Sequence, residues 1–121
     1  RDWGHAKDYV ESMWRILQYK KPDDWVIATN EEMTVKEFIN KSAKKLGIPL
    51  VWKNKDLKEV GIDNKTKKII IKIDKKFFRP GEVDFLKGDY RKAKKLLKWK
   101  PKFSPEKLID DMINYEKSLY E

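Results

Sequence analysis

The spacing of apolar residues predicts two amphipathic helices in the first part of the chain. Between His5 and Lys20 apolar side chains recur every three or four residues, which is the period of a helix with one broad apolar face. Thr34 and Glu37 match a capping box, in which each side chain bonds the other residue's backbone N–H. The helix that they open shows apolar residues on one side, and Gly47 ends it.

The same spacing predicts two further helices towards the other end of the chain. One covers about residues 90–98, where Asp89 can cap its beginning and Pro101 closes the segment. The other begins at Ser104, which serves as N-cap with Pro105 in the first helical position.

Three short apolar runs predict strands. These are Trp25–Ala28, Leu50–Trp52 and the β-branched run Lys68–Ile73. Residues 53–68 are polar and rich in lysine, and Gly61 and Asn64 are turn formers, so this stretch is predicted to be a loop or a hairpin connection.

These elements predict an α/β fold, more exactly an α+β-like small lobe with about four helices and three short strands in alternating order. The chain has 121 residues, the size of one domain, and we expect residues 1–121 to form it. The strands are too few for a doubly wound sheet, so the sequence indicates the smaller lobe of something larger.

Composition excludes several classes of site. The chain has no Cys and a single His, His5, so disulfides, thiolate zinc sites and thiol nucleophiles are excluded and no metal site is predicted. No apolar run approaches the roughly 20 residues of a membrane span, and we therefore expect a cytoplasmic protein without membrane contact.

The formal net charge of +9 attracts anions of all kinds. The lysines come as scattered pairs with acidic residues between them, which favours solvated helix and loop faces over a nucleic-acid groove. A basic nucleic-acid-binding module is the alternative function that charge alone supports.

The most informative motif runs from Phe77 to Glu82. It places Arg79 beside a Pro-Gly turn and an acid, Glu82, three residues further on. A planar guanidinium next to an acceptor suits a phosphate pair on one side and a hydroxyl on the other. Arg1 supplies a second guanidinium, and our hypothesis is that both arginines converge on one nucleotide diphosphate. The alternatives are a surface ion pair between Arg79 and Glu82, and a disordered Arg1.

The sequence offers no convincing motif for cofactor binding or catalysis. The five glycines never take the Gly-x-Gly-x-x-Gly spacing of a dinucleotide site, and there is no P-loop. Tyr90 and Lys94 match Tyr-x-x-x-Lys, but a lysine-rich chain produces this spacing by chance, so a solvent-exposed helix is the favoured interpretation. No catalytic residue is predicted.

Several stretches together carry a family resemblance. The stretch Arg1–Val10, which reads RDWGHAKDYV, closely resembles the segment that opens the substrate-binding part of GDP-mannose 4,6-dehydratases. Further matches follow in the same order at Val26–Thr29, Phe78–Val83 and Leu86–Asp89 and on to Pro101. These enzymes belong to the extended short-chain dehydrogenase/reductase group.

The resemblance implies that this chain corresponds to the C-terminal, nucleotide-sugar-binding portion of such an enzyme. In the family an N-terminal Rossmann domain binds NADP and carries the catalytic residues, and GDP-mannose becomes GDP-4-dehydro-6-deoxy-mannose. That domain and its NADP site are expected to be absent from residues 1–121, which leaves the chain catalytically incomplete. The implied partners are GDP-mannose or a related nucleotide sugar, the Rossmann domain, and further copies in a homo-oligomer.

The resemblance also assigns three residues. Arg1 and Arg79 match the family arginines that reach the diphosphate, and Glu82 matches the acid that holds a ribose hydroxyl. The chain departs from the family pattern at Phe77, where Tyr is common, and at Asn30, where Gly is usual. If the first helix normally packs on the Rossmann domain, its apolar face should be exposed here.

Overall fold

The computed structural model of the chain describes residues 1–79, 81 and 85–120, and within them it contains four helices and a three-stranded antiparallel sheet. This confirms the predicted α/β class and its number of elements, but the predicted alternating order is wrong, because the three strands follow one another between two pairs of helices. In chain order the elements are α1 (Ala6–Leu17), α2 (Val35–Lys45), β1 (Leu50–Lys53), β2 (Val60–Asp63), β3 (Ile69–Lys72), α3 (Arg91–Leu96) and α4 (Pro105–Ser118). Short 3-10 turns lie at Asp56–Lys58 and Lys75–Phe77.

The chain divides into two compact units. That residues 1–121 fold as one domain stays a prediction. The first unit comprises Arg1–Val35 and Phe85–Glu121, and it contains α1, α3 and α4. The second unit comprises Lys36–Asp84 and contains the sheet with nearly all of α2.

Trp99 lies at the centre of the first unit's core. Its side chain is 1% exposed, and it packs with Ala93 and Leu97 of the α3 region. The indole N–H donates to the backbone carbonyl of Asp8 at 2.9 Å, so the one polar atom of the ring is satisfied away from water. Partly buried side chains surround this cluster: Tyr9, Ile16, Tyr19, Trp25, Ile27 and Tyr90.

The helix ends follow the sequence closely. Ser104 caps α4 by accepting the backbone N–H of Lys107, and Pro105 occupies the first turn, as predicted. Gly47 follows α2 with φ of +70°, a left-handed conformation that favours glycine. At α3 the capping position is Tyr90, but the carboxylate of Asp89 still accepts the N–H of Arg91 at 2.9 Å.

The sheet of the second unit corrects the predicted loop over residues 53–68. Val60–Asp63 forms β2, the central strand, which pairs antiparallel with β1 on one side and β3 on the other. Gly61 suits this position because an added Cβ would make tight contacts, 3.0 Å from the Cβ of Ile71 and 3.1 Å from a methyl of Leu50. A strand of four residues that contains a glycine has little apolar alternation, which is why the pattern did not reveal it.

The predicted strand at Trp25–Ala28 is wrong. This segment forms no strand, although Ala28 and Thr29 beside it are buried. The backbone N–H groups that follow it, those of Thr29 and Asn30, donate to the side chain of Asp2. The carboxylate of Asp2 thus accepts N–H groups that would bond a neighbouring strand in a sheet.

Helix α2 packs on the sheet through Trp52 of β1. The Trp52 indole N–H donates to the side-chain oxygen of Asn40 at 2.8 Å, and the Lys36 ammonium lies 4.7 Å from the ring centroid. Lys36 also forms a salt bridge of 2.6 Å with Glu59, so α2 is bound to this region by an ion pair as well as by the Trp52–Asn40 hydrogen bond.

One face of α1 is apolar and exposed. Val10, Met13, Trp14 and Leu17 recur at helical spacing, and their exposed fractions are between 61% and 80%. The prediction of an exposed apolar face on the first helix is therefore confirmed for these residues. In the described ranges no helix is both long and apolar enough to cross a membrane.

Gly88 is predicted to be indispensable for the packing of the first unit. A Cβ added there would lie 2.2 Å from the Cβ of Ala28, well inside van der Waals contact. We expect Gly88→Ala to lower the free energy of unfolding by about 3 kcal/mol, as overpacked sites do. Urea titration followed by circular dichroism measures this value.

The matched control removes the obstructing methyl. In an Ala28→Gly background the same Gly88→Ala change should cost less than about 1 kcal/mol, because the two sites are coupled through one contact. An equal cost in both backgrounds would show that the close approach of Ala28 and Gly88 is not what limits residue 88.

The exposed face of α1 is predicted to bind hydrophobic dyes. Leu17→Lys combined with Met13→Lys should reduce the emission of bound anilinonaphthalene sulfonate by more than about half, because it interrupts the stripe with charge. The charge-matched control is Gln18→Lys combined with Asn114→Lys, two exposed polar positions whose change removes no apolar surface. Equal emission from the two variants would place the dye elsewhere.

Candidate functional site

The carboxylate of Asp2 fixes the segment that carries Arg1. One oxygen accepts the backbone N–H of Thr29 at 2.8 Å and the Thr29 hydroxyl at 2.7 Å. The other accepts the backbone N–H of Asn30 at 3.0 Å and that of Gly88 at 3.1 Å. One side chain thus joins three segments that are distant in sequence.

The environment of Asp2 favours its ionised form. Burial opposes ionisation and is the largest single influence, but the hydrogen bonds from Thr29, Gly88 and Asn30 together outweigh it. The pKa of Asp2 is therefore lowered below its ordinary value of 3.8. The charge also helps burial to raise the pKa of the nearby Tyr9 phenol.

Backbone bonds extend this anchorage to Arg1 itself. The carbonyl of Arg1 accepts the N–H of Met33 at 3.0 Å, and Asp2 pairs with Glu32 in an antiparallel bridge. The Trp3 indole donates to the Met33 carbonyl at 2.7 Å. Arg1 is thus half-buried and held by its backbone in the described structure, which argues against a disordered residue.

His5 is a structural residue of the same segment. Its Nδ1 accepts the N–H of Lys7 at 3.1 Å and so caps α1, which leaves the ring proton on Nε2. That N–H donates to the Asp111 carboxylate of α4 at 2.9 Å, and the ring stacks on Phe103 with centroids 3.9 Å apart. The hydrogen bond from His5 lowers the pKa of Asp111, with a smaller contribution from the Lys7 charge.

Asp8 ties α1 to the segment before α4. The side chain is only 2% exposed, and its Oδ2 accepts the N–H groups of Lys102 at 3.0 Å and Phe103 at 3.1 Å. A buried carboxylate with two backbone donors is satisfied without a cation. Like His5, it holds the scaffold around the RDWGHA motif.

Arg79 lies in a different setting, in the lining of a cleft in the second unit. The cleft has a volume of about 750 Å³ and is lined by Lys72, Ile73, Asp74, Phe77, Phe78, Arg79 and Gly81. Arg79 is exposed there. Gly81 has φ of +80°, so the turn after Arg79 uses a conformation that favours glycine.

The described residues test the three predicted site residues only in part. Arg1 lies in the first unit and Arg79 in the second. Glu82 lies outside the described residues. The hypothesis that Arg1 and Arg79 meet at one diphosphate, and that Glu82 binds a hydroxyl, therefore stays a prediction.

NADP does not fit the residues of this chain. A dinucleotide needs a glycine-rich turn between a parallel strand and a helix, where backbone N–H groups reach the pyrophosphate. The chain lacks that glycine spacing, and the sheet of the described residues is an antiparallel meander. No step of a reaction with this cofactor can be derived from these residues.

Comparison with known proteins identifies the family. The profile of GDP-mannose 4,6 dehydratase matches residues 1–112. The chain belongs to the GDP-mannose 4,6 dehydratase family. It is 51% identical over 113 residues to the GDP-mannose 4,6 dehydratase of Dictyostelium discoideum, a match that covers 93% of this chain and 32% of that protein.

Other GDP-mannose 4,6 dehydratases give the same result. The protein of Homo sapiens is 48% identical over 119 residues, which covers 98% of this chain and 32% of the human protein. The protein of Vibrio cholerae is 40% identical over 123 residues, which covers 93% of this chain and 33% of the Vibrio protein. The chain thus spans about a third of the length of these GDP-mannose 4,6 dehydratases.

Two residues, Asp2 and Lys72, were not singled out by the analysis of the sequence. Asp2 lies in the stretch Arg1–Val10 that carries the family resemblance, but its role depends on partners 27 and 86 positions away. Lys72 follows three consecutive isoleucines in β3, and strand alternation could have placed it on the exposed side.

Asp2→Asn is predicted to destabilise the first unit in a pH-dependent way. An amide nitrogen would face the N–H groups of Asn30 and Gly88, so we expect a loss of about 2 kcal/mol at pH 7. Because the pKa of Asp2 is lowered on folding, its stabilisation is complete above about pH 5 and is lost as pH falls through the folded-state pKa, below 3.8.

The measurement is the free energy of unfolding of both proteins between pH 7 and pH 2. The difference between wild type and Asp2→Asn should shrink in acid, whereas the control Glu116→Gln, on the exposed surface of α4, should match wild type throughout. A difference that is constant across this range would contradict an ionised Asp2.

Proposed function

We propose that this chain provides the GDP-sugar-binding part of a GDP-mannose 4,6 dehydratase. The full enzyme acts on GDP-mannose and yields GDP-4-dehydro-6-deoxy-mannose, with NADP bound by a Rossmann domain outside these residues. The observation that carries the proposal is the exposed Arg79 in the lining of a cleft, inside a stretch that the family profile matches. A guanidinium in such a position can bind two phosphate oxygens at once.

We assign the roles as follows. Arg79 binds the diphosphate, Glu82 accepts a hydrogen bond from a ribose hydroxyl, and Arg1 contributes a second guanidinium to the diphosphate. The anchorage of Arg1 by Asp2 supports its assignment, because a cation held by its backbone loses less conformational entropy when it binds. The chain alone is proposed to be catalytically incomplete and cytoplasmic.

The charge distribution supports an anionic ligand for the second unit. Residues 36–84 contain 14 Lys and Arg and 7 Asp and Glu, so this unit carries +7 of the chain's +9. Such a field raises the local concentration of any anion and speeds its association. It does not distinguish a nucleotide sugar from a polynucleotide.

Titration with GDP tests the proposal. Because the chain supplies only part of the proposed pocket, we expect a dissociation constant in the millimolar range, which corresponds to about 4 kcal/mol. Arg79→Ala should weaken binding at least about fivefold, because a bidentate phosphate contact is lost. Calorimetry or chemical-shift titration measures the constant.

The charge-matched control is Arg91→Ala. Arg91 is exposed and pairs with Asp89 at the start of α3, in the first unit. Removal of Arg91 should leave GDP binding unchanged. Equal binding by wild type and Arg79→Ala would refute the assignment of Arg79.

The nucleic-acid alternative makes a separate prediction. Binding of a 20-nucleotide single strand would fall steeply with salt, with a slope set by the number of phosphates contacted. If the strand binds more tightly than GDP, and Arg79→Ala weakens it no more than Arg91→Ala does, charge rather than the cleft governs anion binding.

A further inference from the structure

The cleft of the second unit holds a second cation beside Arg79. Lys72, the last residue of β3, lines the same cleft and is exposed. Within the described part of the chain neither Lys72 nor Arg79 forms a salt bridge, whereas Lys36, Arg15 and Lys92 each pair with a carboxylate. Two cations that share a cleft of about 750 Å³, and that form no salt bridge with the described residues, repel one another unless an anion joins them.

The one carboxylate in the described lining does not neutralise this pair. Asp74 accepts the backbone N–H of Lys76 at 2.9 Å and caps the 3-10 turn Lys75–Phe77. One of its oxygens is thus directed to the backbone. The described lining therefore has two cations and one anion, a net positive charge.

The same cleft exposes an aromatic surface. Phe77 is 72% exposed and Phe78 is 52% exposed, in one short turn beside Arg79. The Lys76 ammonium lies 5.7 Å from the Phe77 ring centroid, which places a cation near the ring. Exposed phenyl rings leave apolar area in water, and a planar ring that stacks on them removes that cost.

Exposed phenyl rings next to two cations suit one class of ligand. A nucleoside diphosphate has a planar base at one end and two phosphates at the other. Inorganic phosphate would leave the phenyl rings exposed, and an apolar ligand would leave the cations unpaired. Phe has no hydroxyl, so this surface stacks on a base without reading its hydrogen-bonding edge.

We propose that Lys72 is a second phosphate-binding residue and Phe77 a base-stacking residue of this cleft, which takes a nucleoside diphosphate. The inference rests on the proposed function, since it concerns the same cleft, and it adds two residues to it. Lys72 and Arg79 bind the two phosphates, and the Phe77 ring covers one face of the base.

Titrations with GDP and with pyrophosphate separate the two roles. Wild type should bind GDP about tenfold more tightly than pyrophosphate, the contribution of one stacked base. Phe77→Ala should reduce this ratio at least about threefold without changing the affinity for pyrophosphate. The ratio should stay above one, because GDP keeps the ribose hydroxyl that Glu82 is proposed to bind. Lys72→Ala should weaken both ligands about fivefold and leave their ratio unchanged.

Two controls match these variants in chemistry. Lys68→Ala removes an exposed lysine next to β3 that does not line the cleft, and Phe85→Ala removes an exposed phenyl from the first unit. Both should behave as wild type. All four side chains are exposed, so circular dichroism should show the same fold in every variant.

The outcomes distinguish the inference from the proposed function. If Arg79→Ala weakens GDP binding but Lys72→Ala equals Lys68→Ala, or the ligand ratio survives in Phe77→Ala, the inference is wrong and the proposed function stands. If wild type binds neither ligand at 20 mM, a concentration well above the expected constant of about 1 mM, both are wrong.

Discussion

The carboxylate of Asp2 is the interaction on which the first unit depends. It accepts hydrogen bonds from Thr29, Asn30 and Gly88, and the last of these lies 86 positions away along the chain. A contact between such distant segments closes a long loop, and the loss of chain entropy must be offset by a strong bond. An ionised acceptor with several donors meets that need better than neutral pairs do. The close approach of Gly88 to Ala28 then leaves no room for a side chain at this junction.

The two units use their charges differently. In the first unit the carboxylates of Asp2 and Asp8 accept backbone N–H groups, and Glu11 pairs with both Arg15 and Lys102. Its acidic residues thus hold the scaffold and balance its basic ones. The second unit has twice as many basic as acidic residues, and two of its cations share a cleft with exposed phenyl rings. The net charge of the chain is therefore concentrated in the unit that contains Arg79.

Local signals explain what could be predicted from the sequence. The helix that begins at Ser104 was predictable because its cap, its proline and its apolar spacing all act within one turn. The strand Val60–Asp63 was not, because its place in the sheet is set by β1 and β3 rather than by its own pattern. The motif singled out Arg79, whose role in ligand binding stays a prediction. The hydrogen bonds of Asp2 could not be predicted, because their donors lie 27 and 86 positions away along the chain.

Amide hydrogen exchange gives the most direct test of whether the hydrogen bonds that Asp2 accepts hold these segments together. At pH 7 the N–H groups of Thr29, Asn30 and Gly88 should exchange slowly in wild type and faster by at least about tenfold in Asp2→Asn. The amide of Ile48, which bonds Ala43 in the other unit, should be unaffected. If the three amides keep their protection in Asp2→Asn, the carboxylate does not hold these segments together and this account of the first unit is wrong.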